Sequence, residues 1–147
     1  MPQALPRAPA ESLKPAAQAA SGTLFLCEDS EDDEFWFRKT FKKAGLSASI
    51  RVAPTVRQAI EFLKECAATG QNLPSLMVMD FRLSDGKCLE VLEFVRTQAG
   101  LQNIPIITYS GGLNKEDLQS TMNYGVLACI EKPLTVEHVE RFRPFLG

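Results

Sequence analysis

From Thr23 onward the chain alternates short, continuous apolar runs with longer segments in which apolar residues recur every three or four positions. Runs of the first kind read as strands buried on both faces, and segments of the second kind as amphipathic helices. Thr23 to Cys27 is the first strand, and Ser30 or Asp32 can cap a helix that turns Phe35, Phe37, Phe41 and Ala44 inward until Gly45 stops it. Ser49 to Ala53 is a second strand. Thr55-Val56-Arg57-Gln58 reads as a capping box opening a helix with Val56, Ala59, Ile60 and Leu63 on one face, closed at Gly70. Leu76 to Met79 is apolar without alternation and ends abruptly in Asp80. After the turn Ser84-Asp85-Gly86, a helix carries Leu89, Leu92 and Phe94 or Val95 inward and closes near Gly100. Ile104 to Tyr109 is a fourth strand, Asn114 to Tyr124 a helix, and Val126 to Ile130 a fifth strand. Thr135 then caps a last helix reaching Phe145.

Five strand–helix units of this length predict an α/β fold, a flavodoxin-like doubly wound parallel sheet in the order 2-1-3-4-5. Its ligand crevice lies beyond the carboxyl ends of the strands. Residues 1–22 are rich in proline and alanine and poor in large apolar residues, so they are expected to form a disordered tail ahead of one domain, 23–147.

Composition narrows the function classes. A net charge of -2 provides no broad basic surface, which argues against nucleic-acid binding. No stretch has the length and apolarity of a membrane span, and the first residues lack the apolar core of a signal peptide, so a cytoplasmic protein is expected. Cys27, Cys66, Cys88 and Cys129 show no metal-site spacing and read as small core residues. The single histidine, His138, has no ligand partner one helical turn away and reads as a surface helix position.

The strand ends carry the chemistry. Glu28 and Asp29 end the first strand, Asp80 the third, Ser110 the fourth and Lys132 the fifth, so the fold gathers them in one crevice. Three crowded carboxylates with only oxygen ligands favour Mg²⁺; Asp29 and Asp80 would bind it directly and Glu28 through a coordinated water. Asp80 is then the candidate nucleophile for a phosphoryl group, with the Lys132 ammonium and the Ser110 hydroxyl stabilising the transferring oxygens.

The stretches LFLCEDSEDD, LMVMDFRLSDG, IPIITYSGG and IEKPL, in this order and at these intervals, resemble the receiver domain of bacterial two-component response regulators over roughly 23–145. The resemblance makes Glu28 and Asp29 the acid pair, Asp80 the phosphoacceptor, Ser110 the hydroxyl residue and Lys132 the lysine, with a cis bond to Pro133. It adds the backbone carbonyl of Arg82 as a further metal ligand. It also implies a stand-alone regulator rather than an enzyme, phosphorylated by a sensor histidine kinase or histidine phosphotransfer protein, with a downstream protein bound through residues 114–145 and with self-phosphorylation and autodephosphorylation as its only reactions. Three positions depart from the pattern. Cys129 stands where an aromatic switch residue is usual, Ser84 where proline is frequent, implying a looser turn, and Tyr109 precedes Ser110 as a candidate substitute for the aromatic.

Three rivals share parts of this pattern. A flavodoxin-type carrier needs a phosphate-holding loop after the first strand, where EDSEDD is acidic. A haloacid-dehalogenase-type phosphatase needs a second acid where Arg82 stands. A phosphorylation-independent adaptor is motivated by Cys129 and opposed by the complete set of pocket residues.

Overall fold

A computed structural model describes residues 22–147, so the expected tail lies outside the described residues apart from Gly22. Five parallel strands form the sheet: β1 (Thr23–Cys27), β2 (Ser49–Ala53), β3 (Leu76–Met79), β4 (Ile106–Ser110) and β5 (Ala128–Glu131). Their order is β2-β1-β3-β4-β5. The chain therefore reverses direction across the sheet between β1 and β3, and the crevice opens where their carboxyl ends part. The helices are α1 (Glu31–Lys43), α2 (Val56–Thr69), α3 (Cys88–Thr97), α4 (Lys115–Met122), α5 (Val136–Glu140) and α6 (Arg143–Leu146).

The central strands are mainly apolar because both faces are covered, with the buried Thr108 and Ser110 of β4 as polar members. Leu24 and Leu26 of β1, Leu76 and Val78 of β3, and Ile107 and Tyr109 of β4 pack with Phe37 and Phe41 of α1 and with Val139, Phe142 and Leu146 near the carboxyl terminus. The alternate residues Phe25, Cys27, Met77, Met79 and Ile106 pack on the other face with Ala59, Leu63 and Cys66 of α2 and Val91, Leu92 and Val95 of α3. The period-two alternation of side chains divides one apolar run between two cores. Burial of Arg96 lowers its pKa, and its guanidinium donates to the carbonyls of Tyr124, Gln102 and Ile104 at 2.8, 2.8 and 2.9 Å, fastening α3 to the segment before β4 and to the loop between α4 and β5.

The helix ends follow local chemistry. The Ser30 side chain accepts from the Asp33 N–H at 3.2 Å to start α1, and Gly45 and Gly70 adopt the left-handed φ of 84° and 69° that end α1 and α2. Thr135 caps α5, and His138 completes a reciprocal capping box by accepting the Thr135 N–H on Nδ1 at 3.1 Å. The histidine that sequence presents as a plain surface position is thus a hydrogen-bond acceptor that fastens the start of its helix.

Three expectations need correction. Phe35 points outward, with 58% of its surface exposed, because the inward stripe of α1 is centred on Phe37 and Phe41. The last helix is two short helices rather than one: Arg141 closes α5, and Pro144 lies in the first turn of α6, where its missing N–H costs no helical hydrogen bond. The turn after Asp80 is tethered rather than loose: Arg82–Leu83 pairs antiparallel with Gly86–Lys87, and Asp85 between them caps α2, its Oδ1 accepting from Val56 N at 2.7 Å and its Oδ2 from Arg57 N at 3.1 Å.

Phe37 is fully buried and meets Phe41, Tyr109 and Phe142 within 6.3 Å between ring centroids. Phe37→Ala is expected to cost about 3–5 kcal/mol in urea unfolding. The Asp85 carboxyl is held below its ordinary pKa, first by the Val56 N–H, so its contribution to stability is present above the unfolded pKa and lost as pH falls through the folded value. Asp85→Ala should therefore lower the urea midpoint at neutral pH, and the gap to wild type should close in acid.

Candidate phosphoacceptor site

Asp80 immediately follows β3, and its N–H donates to the Cys27 carbonyl of β1 at 2.9 Å, so the residue rides on the sheet ladder. Its two carboxylate oxygens have different partners. The Ser110 hydroxyl, at the end of β4, donates to Oδ1 at 3.1 Å and accepts from the Phe81 N–H at 2.8 Å. The Lys132 ammonium donates to Oδ2 at 2.9 Å. Lys132 is itself placed by its N–H to the Ser110 carbonyl, 2.9 Å, and precedes the expected cis bond to Pro133.

The same ammonium reaches two further carboxylates, Asp33 Oδ2 at 2.6 Å and Glu28 Oε1 at 3.0 Å. The ammonium thus donates to Asp33 and Asp80 and lies in ion-pair contact with Glu28. Burial works to lower the Lys132 pKa, but Asp33, Asp80 and Glu28 outweigh it and the group is held well above the ordinary lysine value. Glu28 is 2% exposed, and its Oε2 accepts the Ser30 N–H at 3.1 Å. Its Oε1 lies beside the ammonium without an aligned hydrogen bond. Burial pushes the Glu28 carboxyl up to about 7, Asp80 adds to the shift, and Lys132 and the Ser30 N–H act against it. The neighbouring thiols are not reactive groups: burial drives Cys88 up to about 12 and Cys27 higher still.

Carboxylate oxygens of Glu28, Asp33 and Asp80 lie within 4.8 Å of one another. An all-oxygen donor set with one buried, unaligned carboxylate oxygen fits a hard divalent cation. Asp33 enters the site although sequence marks it only as capping charge. A signal for it exists: Asp33, Phe37 and Phe41 are spaced by four, so a carboxylate begins the inward stripe of α1 and needs a partner. Asp29, by contrast, is exposed and is not one of the three clustered acids.

The pattern of a response regulator receiver domain matches residues 24–141. The chain belongs to the response regulator receiver family. Among curated relatives, this receiver is 26% identical over 126 residues to the polar-differentiation response regulator DivK of Brucella ovis, covering 85% of this chain and 96% of that one. It is 24% identical over 118 residues to the probable methanogenesis regulatory protein FilR2 of Methanothrix harundinacea, covering 80% and 76%. Among solved structures, the phosphorylated cyanobacterial phytochrome response regulator RcpA superposes with a TM-score of 0.72 at 19% identity, covering 85% of this chain and 91% of that one. The Mn²⁺-bound response regulator Rcp1 gives 0.72 at 19%, covering 84% and 93%. These superpositions bear out the five-stranded fold.

The departures of this receiver now have surroundings. Cys129 is half-buried, its Sγ 3.6 Å from Met122 Sδ of α4, and it lines a groove of about 200 Å³ with Ser110, Leu113 and Leu118. Tyr109 is 3% exposed and meets Phe37 edge-on, so it packs as a core residue in this structure. Arg82, two residues past Asp80, sends its guanidinium to Asp117 of α4 at 3.1 Å. That contact joins the loop after Asp80 to α4.

A carboxyl whose folded pKa is raised contributes stability that is present below the unfolded pKa, about 4.3 for glutamate, and lost as pH rises through the folded value. In metal-free buffer, the urea midpoint of wild type should therefore fall relative to Glu28→Gln between pH 5 and pH 8. An unchanged gap across that interval would show that Glu28 does not titrate near neutrality.

Proposed function

We propose that this receiver accepts a phosphoryl group on Asp80 from the phosphohistidine of a sensor kinase or phosphotransfer protein, in a Mg²⁺-dependent reaction, and signals through protein–protein contact. The observation that carries the reading is the division of labour on the Asp80 carboxylate. One oxygen is held by a hydroxyl and the other by an ammonium, both from different strands.

In the reaction, an Asp80 oxygen attacks phosphorus in line, the phosphorus–nitrogen bond breaks, and the histidine nitrogen keeps the electron pair and takes up a proton. Lys132 and the Ser110 hydroxyl then transfer their hydrogen bonds to the phosphoryl oxygens, whose charge they are placed to spread. Asp80 and Asp29 would hold the cation directly and Glu28 through a coordinated water, with the Arg82 carbonyl as a further ligand; Asp33, which the structure clusters with Glu28 and Asp80, would add a further acid. A bound Mg²⁺ supplies neutralisation of the transferring group. Hydrolysis of the acyl phosphate by water restores the carboxylate and releases inorganic phosphate.

Receiver domains are signalling domains, and output here is assigned to residues 114–145, where Leu118, Met122 and Leu127 are 40–54% exposed beside Cys129. Four free cysteines suit a reducing cytoplasm. Among the described residues, no helix is long and apolar enough to cross a membrane. The absence of an aromatic at Cys129 favours, as a second reading, an adaptor that binds its partner without phosphorylation.

With acetyl phosphate and Mg²⁺, intact-mass measurement should show one added phosphoryl group on wild type and none on Asp80→Asn, with chelation abolishing the gain. Lys132→Ala should slow the gain by about 10²-fold or more. No gain on wild type, or an equal gain on Asp80→Asn, would leave the adaptor reading standing.

A further inference from the structure

The outward face of α1 has no role in the chemistry above, yet it carries the most prominent exposed aromatics of the described residues. Phe35 and Trp36 are each 58% exposed and meet edge-to-face, with ring centroids 5.3 Å apart. Lys39 one turn later lays its ammonium 5.8 and 5.2 Å from the two rings. Charge on the helix is divided about this aromatic pair. Glu31, Asp32, Asp33 and Glu34 fill the first turn, and Lys42 and Lys43 the last. Asp33 is committed to Lys132, and Glu34 to Arg38 at 3.0 Å. Glu31, Asp32, Lys42 and Lys43 form no ion pair among the described residues.

Acids at the amino end and bases at the carboxyl end complement the helix dipole, which accounts for the order of the charges. It does not account for two adjacent aromatics at the centre of the exposed stripe. A surface that is acidic at one end, basic at the other and aromatic between them is complementary to itself when inverted. That is the property a two-fold contact requires.

We propose that α1 forms a reversible homodimer contact in which the helices of two copies cross antiparallel, with Phe35 and Trp36 near the two-fold axis. Glu31 and Asp32 then face Lys42 and Lys43 of the partner subunit. A parallel crossing would oppose acid to acid and base to base and is disfavoured. A helix of this length spans roughly 20 Å, so the contact is small and belongs to the weak, concentration-dependent class, favoured at low salt. Trp36 also lines a groove of about 360 Å³ shared with Asp33, Tyr109, Lys132 and Pro133. Resting on the phosphoacceptor reading, the dimer covers one approach to Asp80 and competes with a protein phosphodonor.

Sedimentation of the full chain over a range of concentrations tests the contact without reference to phosphorylation. Wild type is expected to shift from monomer toward dimer with concentration at low salt and to return toward monomer at high salt, while Phe35→Ala/Trp36→Ala stays monomeric. Glu31→Lys/Asp32→Lys makes the helix basic at both ends, and Lys42→Glu/Lys43→Glu makes it acidic at both ends. Each should remain monomeric alone, and an equimolar mixture should associate. All the substitutions are at exposed or half-buried positions, and thermal melts check that each variant folds. A wild type that stays monomeric at every concentration, self-association that survives the aromatic double substitution, or a mixture that fails to associate would overturn the proposal. So would a wild type that never dimerises while the aromatic variant loses phosphotransfer from a histidine donor, since the patch would then belong to that partner. The acetyl phosphate assay reads Asp80 chemistry separately, so failure of either reading is recognisable.

Discussion

The site depends on one ammonium group meeting three carboxylates. Glu28, Asp33 and Asp80 come from the end of β1, the first turn of α1 and the end of β3, and without a cation among them their mutual repulsion would work against the crevice. Lys132, brought by β5, supplies that charge from within the chain. The arrangement is poised, because any divalent cation or phosphoryl group entering the crevice must share or displace contacts that Lys132 already makes. Removing the ammonium would leave the buried Glu28 and the partly buried Asp80 without the charge that compensates them.

The sheet topology brings those four side chains together. Strand order reverses between β1 and β3, so the two strands that deliver Glu28 and Asp80 are neighbours, with Cys27 paired to Met79. β4 then places Ser110 next to Asp80, and the Ser110 carbonyl places Lys132. The burial of both sheet faces makes these strand ends rigid platforms, and Phe37, one turn after Asp33, anchors α1 in the core.

The output side is built differently. A cysteine and a methionine sulfur stand where a swinging ring would be expected, and Tyr109 is held in the opposite core. What physically connects the loop after Asp80 to α4 is the Arg82–Asp117 ion pair, with the Asp117 side chain largely buried and Lys87 at 3.9 Å from its other oxygen. The hydroxyl that binds Asp80 also holds the Phe81 N–H, so the loop, the acceptor and β4 meet at Ser110.

Much of this was legible from local pattern. Apolar runs marked β1 and β3 to the residue, because strands covered on both faces are filled mainly by apolar side chains, and Ser30, Thr55 and Thr135 marked helix starts because each offers an oxygen to an unpaired N–H. Glu28, Asp80, Ser110 and Lys132 were legible as a set because strand ends in a parallel sheet converge. The direction in which a polar side chain turns was not. Asp32 and Asp33 are equivalent as capping charge, and only the packing of Phe37 and Phe41 against the sheet rotates Asp33 into the crevice and Phe35 with Trp36 out of it. Asp85 likewise reads as a turn residue until the distant start of α2 is brought against it. The sequence by itself determined which segments are strands and which residues end them, since those depend on local period and neighbours; the tertiary structure decided which charges meet, since that depends on how α1 and β5, ninety-nine residues apart at Asp33 and Lys132, are turned toward each other.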